Sequence, residues 1–112
     1  MLPNEIINKL RVSIDRLEDK NEELKELSIE KAERDKAYKI AKAKVIVRLR
    51  VESTPIGIIN DIAEGEVANL KLEKELAEDN YYICLQAIEN LRKELEVYRG
   101  ILSFLKVEYE NS

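Results

Sequence analysis

The residues able to do chemistry in this sequence are few, and their spacing limits what that chemistry is. Cys84 is the single cysteine and histidine is absent, which removes the commonest general base, proton shuttle and zinc ligand together. Cys84 falls on an apolar helical stripe, where a thiol with no histidine to activate it is expected to be buried and inert. Tyr81, Tyr82, Tyr98 and Tyr109 are expected as core or interface residues with their hydroxyls at the edge. Asn60-Asp61-x-x-Glu64-Gly65 has the spacing of half a calcium loop, but Lys71 stands where the closing bidentate glutamate is needed. No glycine-rich phosphate loop, CxxC pair or serine-centred elbow occurs. The expectation is a chain that is not an enzyme, with no catalytic residues, no cofactor and no metal.

The charges are more informative. The net charge is −4, yet residues 31–50 hold eight bases against only Glu33 and Asp35. Residues 1–30 carry eight acids and five bases, and residues 51–112 carry thirteen acids and six bases. A basic middle between acidic flanks needs a physical reason. Lys36, Lys39, Lys42, Lys44, Arg48 and Arg50 are candidates for contact with nucleic acid. Their scatter around a helix, with aromatic interleaving limited to Tyr38, makes that the second reading rather than the first.

The elements that must carry these residues are helices. Charged residues make up 38% of the chain and hydrophobic ones 45%, with three glycines and two prolines, the balance of long helices and coiled coils. Ile7, Leu10, Ile14, Leu17, Asn21 and Leu24 step alternately by three and four. This is a heptad with Asn21 as its polar member, a position suited to setting register. The pattern fades over residues 28–36 and resumes with Tyr38, Ala41, Val45 and Leu49 beside Ile40, Val47 and Val51. The rival for residues 45–52 is a strand, since they are β-branched and alternate, but no second strand exists to pair with it.

With no internal glycine or proline, residues 4–52 read as one helix of roughly 70 Å. A connector over residues 53–65 follows, in which Thr54 can cap a short helix beginning at Pro55 and Gly65 can end it. Its isoleucines, Ile56, Ile58, Ile59 and Ile62, are expected to plug the turn end of a hairpin. Helix two, residues 66–110, carries the clearest signal. From Val67 to Tyr109, thirteen positions follow strict three-four spacing, and Lys74 is the one charged member. Leu76, Ile83, Val97, Ile101 and Phe104 widen the stripe beyond a two-stranded seam. Gly100 inside this helix is expected to mark close approach by a neighbouring helix.

Residues 1–112 are therefore expected to form one all-α domain. It is a long antiparallel helical hairpin of coiled-coil type with a short helical connector, assembling into a helical bundle. A twelve-residue connector sets residues 36–50 against about 68–82, pairing the bases with Glu73, Glu75, Glu78 and Asp79. It also sets the polar stretch 28–36 against the very apolar 82–90, which is a mismatch. The unmet apolar surface implies a dimer or higher oligomer, with Tyr81, Cys84, Ile88, Leu91, Leu95, Tyr98, Ile101, Leu102 and Leu105 as its interface. The longest apolar run, residues 81–85, is too short to span a membrane. The start of the chain lacks the basic and apolar regions of a signal peptide, and a lone cysteine suits a reducing cytoplasm.

One resemblance adds to this. Tyr38-Lys39, Leu49-Arg50, Pro55-x-x-x-Ile59-x-Asp61-Ile62-Ala63-x-Gly65 and Val67-Ala68-x-Leu70-Lys71-Leu72-Glu73 resemble a family of short helical proteins encoded by phages and prophages of Gram-positive bacteria. The resemblance spans about residues 36–100. It departs at Glu73-Lys74, where an Arg- or Asp-rich stretch is expected. It implies a protein in the cytoplasm of a bacterial host, accessory to DNA replication or recombination, with another phage or host protein as partner. It implies no activity and no site residues. Inhibition of a host defence or replication protein is a third reading.

Overall fold

The computed structural model describes residues 2–111, apart from the side chains of Tyr109 and Asn111, so the role expected of Tyr109 lies outside the described residues. Pro3–Val51 form one unbroken helix, α1. Pro3 sits where its missing N–H costs nothing, Glu5 lies near the positive end of the dipole, and Arg48 and Arg50 lie near the negative end. The segment from Val45 is helical, because no strand partner exists among the described residues to compete for its backbone. Ile56–Glu66 form α2 and Ala68–Asn111 form α3.

The reversal is tighter than the expected connector. The N–H of Ser53 donates to the carbonyl of Arg50 (3.1 Å) and that of Thr54 to the carbonyl of Leu49 (3.0 Å). This is the bond pair that closes a helix through a left-handed residue, and Ser53, with φ 59°, is that residue. Pro55 then prevents α1 from continuing. Thr54 does not cap the next helix: its N-cap is Pro55, with no side-chain hydrogen bond. Nor does Gly65 end α2. The helix runs on to Glu66, and Val67 alone separates it from α3, with its N–H still donating to the Ala63 carbonyl (3.1 Å). The chain thus turns within a few residues and departs along a nearly continuous α2–α3 path.

Two compact units result, one of Glu26–Tyr82 and one of the residues up to Lys25 with those from Ile83 onward. In each, α1 packs antiparallel against the returning helix, a hairpin of coiled-coil type. In the turn-side unit Leu49, Ile59, Ala63, Val67 and Ala77 are buried. Of the four connector isoleucines, Ile59 is buried and Ile62 half-buried, while Ile58 is exposed and Ile56 is 89% exposed. An eleven-residue helix lying along one partner can present only one face to it, so the full plug does not form.

In the second unit, Ile6, Ser13, Cys84, Ile88 and Leu95 are buried, with Leu10, Leu17, Lys20, Leu24, Leu91 and Tyr98 half-buried between them. Burial of side chains such as Ile88 and Leu95 contributes about 1.5–3 kcal/mol each. The α1 seam here is Ile6, Leu10, Ser13, Leu17, Lys20 and Leu24. Leu10, Leu17 and Leu24 lie on the expected heptad, but its alternate members are one residue out: Ile7, Ile14 and Asn21 are exposed. The pattern of residue types favoured the isoleucines, whereas the seam accepts the small Ser13 and the aliphatic stem of Lys20. Gly100 has nothing within 4 Å of where a Cβ would stand, so no helix of this chain approaches it closely.

Ser53 pays the steric cost of a left-handed conformation that glycine avoids. Ser53→Gly is expected to stabilise the chain by about 0.5–1 kcal/mol and raise its melting temperature by a few degrees, read by circular dichroism. A neutral or lowered melting temperature would contradict this account of the turn.

Candidate functional site

The short reversal moves every cross-helix pairing toward the turn. The bases of 36–50 do not meet Glu73, Glu75, Glu78 and Asp79 as expected. Lys42 instead pairs with Glu64 (2.6 Å) and Arg48 with Glu66 (2.5 Å), both acids of α2. The polar stretch 28–36 meets residues 73–82 and reaches the apolar 82–90 only at its start, where Lys31 lies over the Tyr82 ring (5.9 Å). Lys31 lies over the ring of Tyr81 (5.2 Å), Arg34 donates to Glu73 (3.0 Å) and Asp35 faces Lys74 (4.0 Å).

These contacts form a polar layer across the seam of the turn-side unit. Lys74, the one charged residue of the α3 heptad, is half-buried, pairs with Glu78 (3.1 Å), and lies over the ring of Tyr38 (5.5 Å). Lys31 from α1 covers Tyr81 of α3, and Lys74 from α3 covers Tyr38 of α1, so each helix supplies one cation and one ring. Cation–π contacts of this kind contribute about 0.5–1 kcal/mol where partly exposed. The hydrogen bond that Lys74 donates to Glu78 holds its ammonium above the ordinary pKa, reinforced by Asp35, while the bond from Lys39 lowers the Asp35 carboxyl. An open cleft of about 380 Å³ beside the layer is lined by Ser28, Lys31, Ala32, Asp35, Glu78 and Tyr81.

Nearer the turn Glu64 is a hub. It accepts from the Tyr38 hydroxyl (2.5 Å), Lys42 and Lys71 (3.2 Å). The hydrogen bond from Lys42, followed by that from Tyr38, lowers its pKa from 4.5 to about 2. Because Glu64 and Tyr38 come from different helices, this cluster fastens α2 to α1 at one axial position.

No protein-family model matches the chain, and neither does any curated protein or solved structure. Among the described residues no three Cys, Asp or Glu side chains converge as a metal set, and no helix is long and apolar enough to cross a membrane.

Of the residues expected to join separate chains, three are already covered within this one and six are covered in part. Cys84, Ile88 and Leu95 are buried against α1, and Tyr81, Leu91, Tyr98, Ile101, Leu102 and Leu105 are half-buried. Strict three-four spacing identifies a seam without saying which helix fills it, and the chain's own α1 is the nearer partner. The Cys84 thiol donates to the Lys20 carbonyl (3.4 Å), and burial raises its pKa. Tyr98 donates to Glu94 (2.9 Å), which raises its pKa. Asn21, the expected register residue, is exposed. The polar layer around Lys74 has the position that such a role requires, and the sequence signal for it is that Lys74 interrupts an otherwise apolar row.

Of the six candidate nucleic-acid contacts, Lys39, Lys42 and Arg48 are held by Asp35, Glu64 and Glu66. Lys36, Lys44 and Arg50 are exposed and make no ion pair among the described residues.

Two measurements test this site. A carboxyl depressed in the folded state stabilises fully above its unfolded value of 4.5, and that stability is lost as pH falls toward about 2. Melting temperature is therefore expected to drop through this window in the wild type. In Glu64→Gln the drop should be shallower, Asp35 supplying the remainder, with a lower melting temperature at neutral pH. An unchanged acid limb would remove Glu64 from this role. Separately, Cys84, only 2% exposed, should react with a thiol reagent far more slowly in the native chain than in denaturant. Equal rates would contradict its burial.

Proposed function

We propose that this chain is a non-enzymatic, self-associating interaction protein whose exposed helix faces bind other helices. The observation that carries the reading is the apolar row left uncovered on α3. In the turn-side unit Leu72 and Leu76 are 56% and 54% exposed, and in the other unit Ile83, Val97 and Phe104 are more exposed still. A single partner helix covers only the seam, so a row more than a quarter-turn away stays in water. Exposed apolar side chains recurring along one helix face in this way mark an interaction site. The half-buried seam residues Leu91, Leu102 and Leu105 add to it, because a two-helix core closes on one side only. The polar clusters, by contrast, are accounted for as ion pairs that hold the hairpin together.

The resemblance carried by Pro55, Asp61, Ile62, Ala63 and Gly65 extends the proposal. The chain acts in a bacterial cytoplasm as an adaptor accessory to phage DNA replication or recombination, with a phage or host protein as its second partner. The test of self-association is sedimentation across the micromolar range. The expected result is a mass at least twice that of one chain, rising with concentration. A folded monomer throughout that range would overturn the proposal.

A further inference from the structure

The turn-side unit carries two exposed faces of opposite charge, one on each helix and each turned away from the shared seam. On α1, three rows spaced by seven residues lie side by side: Lys36, Ala43 and Arg50; Ala37, Lys44 and Val51; Ile40 and Val47. All eight are exposed. This spacing puts them on one side of the helix over roughly 22 Å. Its centre is apolar, its charges are all positive, and its three bases have no ion-pair partner among the described residues.

The complementary surface is on α3. Leu72 and Asp79, Glu75 and Tyr82, and Asn69 and Leu76 are again spaced by seven, and all six are exposed. They cover roughly 20 Å. This face sets Leu72, Leu76 and Tyr82 among its charges, and those charges, Glu75 and Asp79, are all negative. Glu75 and Asp79 make no ion pair among the described residues, whereas the neighbouring Glu73 and Glu78 are bound to Arg34 and Lys74.

We infer that the occupant of each face is the other face on a second copy of this chain: the 36–51 side of α1 in one copy lies along the 69–82 side of α3 in the next. The inference rests on the self-association proposed above and names the surface that carries it. The two faces match in length, each carries apolar residues among its charges, and their charges are opposite in sign. Ile40, Val47 and Val51 meet Leu72 and Leu76, while Lys36, Lys44 and Arg50 flank Glu75 and Asp79. Like faces repel, which excludes α1 on α1 and α3 on α3 and gives the contact its direction. A contact between two different faces is heterologous, so two bound copies between them still offer one free face of each kind, and the assembly grows or closes as a ring.

Charge reversal separates this contact from any other mode of association. One variant carries Lys36→Glu, Lys44→Glu and Arg50→Glu, making both faces acidic. The other carries Glu75→Lys and Asp79→Lys, making both basic. The substituted positions are exposed, and circular dichroism melts verify that each variant folds. Each variant alone is expected to sediment as a smaller species than wild type, and their equal mixture to recover the wild-type mass. Wild-type association should weaken as salt rises.

If wild type assembles and both variants assemble equally well alone, the surface named here is wrong while self-association stands. Failure of the mixture to recover the wild-type mass also overturns it. A monomeric wild type overturns both readings together. An assembly unchanged by the first variant, combined with loss of binding to a DNA duplex, would make the 36–51 face a nucleic-acid surface instead and would equally overturn the inference.

Discussion

The backbone reversal at Ser53 sets which residues of the returning helix can reach which residues of α1. Two backbone bonds, Ser53 to Arg50 and Thr54 to Leu49, complete the turn before Pro55. α2 then starts beside the last turns of α1 instead of after a loop. Glu64 is within reach of Lys42 and Tyr38 for that reason, and Glu66 within reach of Arg48. A longer connector would slide α3 relative to α1 and carry Lys74 away from Asp35 and Tyr38. The local conformation of one serine and the long-range electrostatics of the turn-side unit are thus a single constraint seen at two scales.

Within that constraint the polar layer acts by exclusion more than by affinity. Exposed ion pairs contribute about 0–1 kcal/mol each, so Arg34–Glu73 and Lys74–Glu78 add little to stability by themselves. A shift of one heptad, however, would place Lys74 against Ala41 or Val45 and would leave a half-buried charge without Asp35 and the Tyr38 ring opposite it. Misplacing such a group costs more than pairing it gains. Lys31 and Lys74, each laid over a tyrosine of the opposite helix, penalise slippage in both directions.

Much of the fold was legible in the residues, and the parts that were not have a common cause. The α3 heptad could be read directly: Val67, Leu70, Lys74, Ala77, Tyr81, Cys84, Ile88, Leu91, Leu95, Tyr98, Leu102 and Leu105 are all buried or half-buried. Helix boundaries were legible because Pro3 and Pro55 are strong punctuation and nothing interrupts α1. Register was not, since it depended on the left-handed turn. A serine does not advertise that conformation as glycine does, and Gly65, which does, lies inside a helix. The α1 seam was misplaced by one residue at Ile6, Ser13 and Lys20 for a different reason. Serine and lysine occupy positions that a hydrophobic count assigns to Ile7, Ile14 and Asn21. The Glu64 cluster was hidden for the same reason as the register, since its members are adjacent only once α2 folds back immediately.

Stability and association are coupled in a chain built this way. Two helices in contact bury one seam, and here the seam is shared with polar and charged residues such as Ser13, Lys20, Lys31, Asp35 and Lys74, so its apolar area is smaller than the heptad alone would suggest. The apolar residues that would enlarge the core stand instead on the outer faces, Ile40 and Val47 on α1 and Leu72 and Leu76 on α3. Any contact that covers them removes apolar surface from water in the folded state only, because the unfolded chain has no such faces to offer. The self-association proposed above would therefore draw the folding equilibrium with it, making the hairpin more stable as its concentration rises. The arrangement of charge on those outer faces then decides whether the added stability comes from ordered pairing or from indiscriminate apolar contact. Lys36, Lys44 and Arg50 on one side, with Glu75 and Asp79 on the other, favour order, since only unlike faces can approach without bringing like charges together.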